Sequence, residues 1–413
     1  MQRILTGSSG SAIKSHNLRA VLFSLLRQEA VSRAQLAQLT QLSSTTITNL
    51  ITELLDQGIV AEDTDSAATQ PVQRAVGRPQ TALRLVAASR TAVGVHFDVD
   101  HINVAVTDLF GKPLAACSAP HPADRAPQPA LAETVRLVRQ AISESGVDTR
   151  LIVGVGVGAS GLVDAERGVN VIAPNLGWRD VPLRDWLTAE LGLPVCIENN
   201  VRTMALAEVM FGAGRGVNAL AFVYARVGVG AGFVVNGEIY RGSAEGAGEI
   251  GHTTIIPNGG IRCRCGNTGC LETLVSEPAL LRAAHELAEA QPRSLLAEHL
   301  RTGQGLESVF QAARAGDEPT RAMLQTRAQY MGIALANLVN ILNPELIVMG
   351  GLFRQGRDLL LPTVEATIRA RAFARLGERV GLQTASFDGR AGVIGAATLA
   401  LNTFFYQQTA EAG

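Results

Sequence analysis

The sequence predicts an α/β protein that begins with a winged helix-turn-helix, and three observations predict it. The N-terminal stretch holds three short amphipathic segments, the second and third separated by a tight turn. Two short apolar runs follow, flanking a polar loop. Beyond them, strand-length apolar runs recur between long helical stretches, the pattern of an α/β architecture.

Taken in order, Leu18, Val21, Leu22, Leu25 and Leu26 fall at i, i+3, i+4, i+7 and i+8, which gives a helix one apolar face. Ser32 stands where it can cap a second helix over residues 33–40, with Leu36 and Leu39 inward. Ser43 is the candidate cap of a third, which carries Ile47, Leu50, Ile51, Leu54 and Leu55 on its buried stripe and stops at Gly58. Its outward face reads Ser44, Thr45, Thr46, Thr48 and Asn49. Such short donors and acceptors suit base edges and phosphates in a major groove, whereas β-branched Thr is a poor choice for a merely solvated helix face. Ser43 and Arg33, at the starts of the third and second helices, join this candidate DNA-contacting set. Residues 59–62 and 83–86 read as two strands, with Gly77-Arg78-Pro79 a rigid basic tip near the return. Arg at a wing tip can enter a narrow minor groove. Residues 1–52 hold five basic residues (Arg3, Lys14, Arg19, Arg27, Arg33) against one acid, Glu29, the asymmetry expected of a nucleic-acid module. A helix-turn-helix used for protein contact is the competing reading. Residues 1–86 are therefore assigned to a module for double-stranded DNA, with a hinge expected over residues 87–90.

In the body, residues 91–109 read as two strands around a bend, and Gly111-Lys112 as a hairpin turn. Residues 151–158 and 195–197 are further strands, the second preceding a helix that begins near Asn200. Residues 220–235 repeat the early hairpin, and residues 346–349 form a late strand. With 413 residues, 47% of them hydrophobic and only 4% aromatic, the chain can bury several cores built mainly of Ala, Val, Leu and Ile. No secretory signal and no run of about 18 apolar residues is present, so a soluble protein without a membrane partner is expected. Of five cysteines, three lie together, leaving Cys117 and Cys196, a usage that fits a reducing cytoplasm.

The most informative stretch is Cys263-Arg264-Cys265-Gly266-Asn267-Thr268-Gly269-Cys270-Leu271-Glu272, with His252 upstream. Three thiols and an imidazole supply the four soft or borderline ligands of a tetrahedral Zn²⁺. The spacing differs from the C-x₂-C pairs of zinc fingers. Three buried apolar cysteines are the alternative, but these would not need Arg, Gly, Asn and Thr between them. His252, Cys263, Cys265 and Cys270 are the candidate zinc ligands.

Widened to Gly248-Glu249-Ile250-Gly251-His252, the pattern resembles the signature of the ROK family of sugar kinases and sugar-responsive repressors. The resemblance runs from about Thr91 to the C-terminus. It implies a two-lobed actin-like (ribonuclease H-like) body: residues 91–200 as first lobe, to which 390–413 return, and 201–389 as second lobe with the zinc site. It also places Asn199, Asn200, Glu249, His252 and Glu272 where the family contacts sugar. Asn175-Leu176-Gly177-Trp178 matches a loop near the family's cleft, and Asn343-Pro344-Glu345 with Gly350-Gly351 its adenosine-side segment.

The nucleotide turns depart from the family. A first turn of Gly-x-Asp-x-Gly-Gly-Thr is expected, but the chain reads Gly94-Val95-His96-Phe97-Asp98-Val99-Asp100, with two carboxylates that repel a polyphosphate. The second turn, Gly-Thr-Gly-x-Gly in the family, is Arg226-Val227-Gly228-Val229-Gly230. Asn200 stands where kinases carry the Asp that accepts the sugar proton, and an amide has no useful basicity. No catalytic residue is assigned. The resemblance thus implies a sugar-responsive repressor, similar to the xylose, N-acetylglucosamine and glucose repressors, that senses sugar without phosphorylating it; the alternatives are a sugar kinase that also binds DNA and a regulator controlled by a protein partner. The family's xylose repressors also lack this Asp, which points to a pentose. A homodimer or higher homo-oligomer is expected, and Arg226 is a candidate acceptor for a sugar phosphate.

Overall fold

A computed structural model describes residues 10–28, 30–63, 81–303 and 305–407. The expected wing tip, Gly77, Arg78 and Pro79, lies outside the described residues.

Helix α1 (Gly10–Arg27) buries Val21, Leu22, Leu25 and Leu26, the face that the spacing predicts. After the two-residue strand β1 (Val31–Ser32) comes α2 (Arg33–Thr40), closed by a capping box. The Ser32 hydroxyl accepts from Gln35 N at 3.2 Å while Gln35 Oε1 accepts from Ser32 N at 2.9 Å, so two orphan donors are satisfied reciprocally. Leu36 is buried, but Leu39 is 55% exposed, contrary to the expected inward pair. The short helix turns only its line of residues 33, 36, 37 and 40 inward, and Leu39 falls beside it. Gln41 then adopts a left-handed φ of 58°, and α3 (Ser44–Asp56) starts at its Ser43 cap. Ile47, Leu50, Ile51 and Leu54 are buried, and Leu55 is half-buried. Strands β2 (Val60–Asp63) and β3 (Ala82–Leu85) pair antiparallel, and β1 takes the other edge of β3. The module is not detached from the body. Leu109, Leu206, Met210, Phe405 and Tyr406 share its buried cluster, and the segment expected as a hinge is a 3₁₀ turn, Ala87–Ser89, whose Ala87 carbonyl accepts from Leu109 N at 3.1 Å.

The body is built on two five-stranded sheets of one topology. The first contains β4 (Thr91–Phe97), β5 (His101–Asp108), β6 (Pro113–Pro120), β7 (Ile152–Ala159) and β11 (Val195–Asn199), in the order β11-β7-β4-β5-β6. Helix α4 (Pro127–Ser145) covers β5 and β6. A small sheet of β8 (Leu162–Asp164), β9 (Val169–Ala173) and β10 (Trp178–Val181), followed by α5 (Leu183–Leu191), leads into β11. Helix α6 (Asn200–Phe211) crosses to the second sheet: β12 (Ala219–Ala225), β13 (Val229–Val235), β14 (Glu238–Tyr240), β15 (Leu346–Gly351) and β16 (Gly381–Thr384), ordered β14-β13-β12-β15-β16. Each sheet thus has an antiparallel three-strand meander extended by two parallel strands, the duplication of an actin-like fold.

Helices α7 (Glu272–Val275), α8 (Glu277–Ala290), α9 (Leu295–Thr302), α10 (Gly305–Arg314) and α11 (Glu318–Leu342) follow the zinc-motif segment. Helices α12 (Leu352–Gln355), α13 (Arg357–Arg371) and α14 (Leu376–Arg379) lie between β15 and β16. The last helix, α15 (Ala391–Leu401), lies on β4 and β7 and against α6. Glycine allows this contact: a Cβ on Gly94 would come within 2.1 Å of the Val393 carbonyl, and one on Gly156 within 1.9 Å of that of Ala396. The carboxyl ends of β4, β7, β11 and β12 therefore open on one cleft, the usual position for a ligand in such folds.

Candidate functional site

All five candidate sugar residues line this cleft, a cavity of about 400 Å³. Asn199 and Asn200 arrive at the junction of β11 and α6. Asn199 caps α6: its Oδ1 accepts from Val201 N at 2.9 Å and Arg202 N at 3.3 Å, and its Nδ2 donates to the Gly161 carbonyl at 2.9 Å. Its amide is thus largely committed to backbone. Asn200 Oδ1 accepts from Val201 N at 3.0 Å, and its Nδ2 lies 3.5 Å from His96 Nε2. Glu249 and His252 come from a 3₁₀ turn folded back onto β13. Gly248, at φ 101°, makes that return possible, since a Cβ there would meet the Ala231 carbonyl at 1.9 Å. The exposed Glu249 carboxylate lies 3.8 Å from His252 Nε2. Glu272 opens α7, and its Oε2 accepts from Val229 N at 3.0 Å. Asn175, from the expected cleft loop, lines the cavity, while Trp178 is buried and donates to the Arg125 carbonyl at 2.8 Å.

The other end of the cavity holds charge that the chain has neutralised itself. Arg226, in the β12–β13 turn, pairs with Asp98 in the β4–β5 turn and lies 3.7 Å from Asp100. The repulsion expected from two carboxylates is thereby relieved within the chain, and the guanidinium expected to take a sugar phosphate is already engaged. Burial opposes ionisation of Asp98. The neighbouring His96 and Arg226 charges, with hydrogen bonds from Val99 N and Arg226, outweigh it and hold the carboxyl below its usual range. His96, buried where the family's turn carries Asp, is pushed down by that burial against the pull of Asp98.

Behind the cavity lies a buried carboxylate to which the sequence motifs assign no role. Glu198 is fully buried, and its Oε1 accepts from Asn199 N at 2.8 Å and from Arg202 Nη1 at 3.1 Å. Its Oε2 accepts from Arg241 Nε at 2.6 Å. The i,i+4 spacing of Glu198 and Arg202 was the available signal.

The candidate zinc ligands converge. The ligand atoms of His252, Cys263, Cys265 and Cys270 all lie within 4.8 Å of one another. Cys265 and Cys270 sulfurs are 3.7 Å apart, and Cys263 Sγ is 3.7 Å from His252 Nδ1. A tetrahedron with Zn–S bonds of about 2.3 Å has edges of about 3.8 Å, so the set fits that ion. His252 presents Nδ1 to the thiols and Nε2 toward Glu249 and the cavity. Burial pushes the Cys270 thiol up to about 12, so binding a cation here means displacing a proton.

On the N-terminal module, Ser44, Thr45, Thr48 and Asn49 are exposed along α3. Ser43 and Thr46 share a cap, with Thr46 N donating to Ser43 Oγ at 3.1 Å, and Thr48 Oγ1 donates to the Ser44 carbonyl at 2.9 Å. Arg33 pairs with Glu62 at 2.8 Å across the module. Among the described residues, no helix is long and apolar enough to cross a membrane.

Residues 92–403 match the ROK family, and the chain belongs to it. It is 30% identical over 395 residues to a putative xylose repressor of Caldicellulosiruptor sp. (strain Rt8B.4), covering 94% of this chain and 96% of that protein. It is 40% identical over 246 residues to a glucokinase of Halalkalibacterium halodurans, covering 59% of this chain and 74% of the enzyme. Among solved structures, a ROK family transcriptional regulator described as a homologue of the Escherichia coli Mlc protein superposes with a TM-score of 0.81 at 27% identity, covering 96% of this chain and 98% of that one.

Proposed function

We propose that this chain is a DNA-binding transcriptional regulator, a repressor of sugar-utilisation genes, controlled by a sugar that it binds and does not phosphorylate. The observation that carries the reading is the division of the cavity. The sugar end offers Asn200, Glu249, His252 and Glu272, while the phosphate end is closed by Arg226 on Asp98 and Asp100. Carboxylates and amides take vicinal hydroxyls in pairs, and a pocket so built rejects analogues that lack one. Asn200 accepts a hydrogen bond but no proton, so the sugar is held and not activated. Similarity to the Caldicellulosiruptor repressor over nearly the whole chain, N-terminal module included, supports the regulatory reading.

In this reading Ser44, Thr45, Thr46, Thr48 and Asn49 enter the major groove, with Ser43 and Arg33 on the backbone. A cytoplasmic homodimer brings two such modules to half-sites about 34–36 Å apart. Zn²⁺ held by His252, Cys263, Cys265 and Cys270 orders the loop that presents His252 and Glu272 to the sugar.

The glucokinase similarity favours one other reading, a sugar kinase that also binds DNA. Isothermal titration of D-xylose, D-glucose and N-acetyl-D-glucosamine, beside a coupled assay of ADP release, separates them. Sugar binding without ATP and no sugar-dependent ADP release is expected. Sugar-dependent ADP release overturns the proposal.

A further inference from the structure

The stretch of residues 238–252 touches three parts of the molecule in turn. At its start, β14 reaches the N-terminal module. Glu238 Oε1 lies 3.2 Å from both Nη atoms of Arg19 on α1, and Ile239 packs against the cluster that contains the α1 core. In its middle, Arg241 binds the fully buried Glu198, the residue before Asn199 and Asn200. Arg202, itself buried, binds the other oxygen of Glu198 and holds the Ala247 carbonyl through Nη2 at 3.1 Å and the Glu245 carbonyl. At its end, Gly248 delivers Glu249 and His252 to the cavity.

The centre of this assembly contains two carboxylates and two guanidiniums: Glu198, Glu245, Arg202 and Arg241. It is electroneutral but not fully bonded. Glu245 sits at a left-handed φ of 55°, and its buried Oε2 has no hydrogen bond, with the guanidiniums 3.6 and 3.7 Å away. A segment fixed at both ends, with a strained and under-bonded residue between them, can settle in more than one arrangement.

We propose that residues 238–252 form a lever that conveys occupancy of the cleft to α1, with Arg241 on Glu198 as its fulcrum. Both groups of candidate sugar residues adjoin the fulcrum, Asn199 and Asn200 directly after Glu198, and Glu249 and His252 after the held stretch. A sugar that draws the groups together shifts the Arg241 end and, through β14, the seat of α1. Arg241 is a positioning residue that touches neither sugar nor DNA. The lever rests on the regulatory reading given above.

The test uses full-length protein and DNA from upstream of its own gene, with D-xylose, D-glucose and N-acetyl-D-glucosamine as probes. Fluorescence anisotropy gives the sugar-induced shift in DNA affinity for wild type, Arg241→Gln and Ile239→Ala. Calorimetry gives sugar affinity for each. Wild type is expected to shift about five-fold or more. Both variants should bind DNA and sugar within about two-fold of wild type yet shift less than about two-fold. Ile239→Ala leaves the buried charges untouched, so a folding defect in Arg241→Gln does not decide the outcome. A responsive wild type with equally responsive variants overturns the lever alone. A wild type that ignores every sugar overturns the regulatory reading, and the lever with it.

Discussion

The two ends of the cleft differ within one duplicated fold. At the proposed sugar end, Glu249, His252 and Glu272 are held by glycine turns and the loop that carries the candidate metal ligands, and they line the cavity. At the opposite end, the turns that follow β4 and β12 bind each other across the gap through Arg226, Asp98 and Asp100. The turns are fixed by sheet and helix packing, as at Gly94 beneath α15, whereas what each end can bind depends on a few side chains.

That contrast can be broken from either end. The largest effect is expected at the loop beneath the sugar residues. Cys270→Ser should abolish stoichiometric zinc uptake and loosen residues 253–271, because a structural zinc site contributes about 10 kcal/mol or more to local folding; metal analysis with hydrogen exchange measures both. Next comes Glu249→Ala, whose loss of a charged partner for sugar hydroxyls should weaken binding by about 1.5–3 kcal/mol in calorimetry, with thermal stability unchanged.

At the phosphate end, Arg226→Ala leaves a half-buried Asp98 without its cation and should cost about 1–3 kcal/mol in denaturant unfolding. The double variant Asp98→Asn with Arg226→Gln should cost less than the sum of the single changes. A milder effect follows from His96 and His121, both pushed below the ordinary value of 6.5 chiefly by burial. As pH falls below 6.5 the unfolded chain takes up protons that the folded chain refuses. Stability from these residues is therefore full above pH 6.5 and is lost as pH falls through their lowered folded values. Melting temperature should drop across that window, and His96→Gln should flatten the slope. The smallest effect is expected from Asn200→Asp. Restoring the kinase carboxylate leaves Arg226 on Asp98 and Asp100, so ADP release should stay at the blank.

Much of this was legible in the sequence, for reasons that differ by region. The three N-terminal helices follow from apolar spacing and Ser caps, both local signals. Leu39 was misplaced because a helix this short buries a single line of side chains. The two-lobed body came from the family motif and not from periodicity, since β4 and β7, buried on both faces, carry no alternation. Residue types alone proposed the ligand set of Cys263, Cys265, Cys270 and His252. The Arg226–Asp98 pair was not legible, because it joins residues 128 positions apart and each looked like an isolated departure from its own turn. Nor was the commitment of Asn199 to capping α6, which depends on where the strand ends.

On the regulatory reading, a sugar held without chemistry alters DNA binding. The most direct test is fluorescence anisotropy of full-length protein on its own upstream DNA, at fixed salt because phosphate contacts make the affinity salt-dependent. Pentoses, hexoses and amino sugars are added in turn without ATP. One of them should shift the DNA affinity about five-fold or more, in the range of ordinary allosteric coupling. Tight DNA binding that no sugar alters would contradict it.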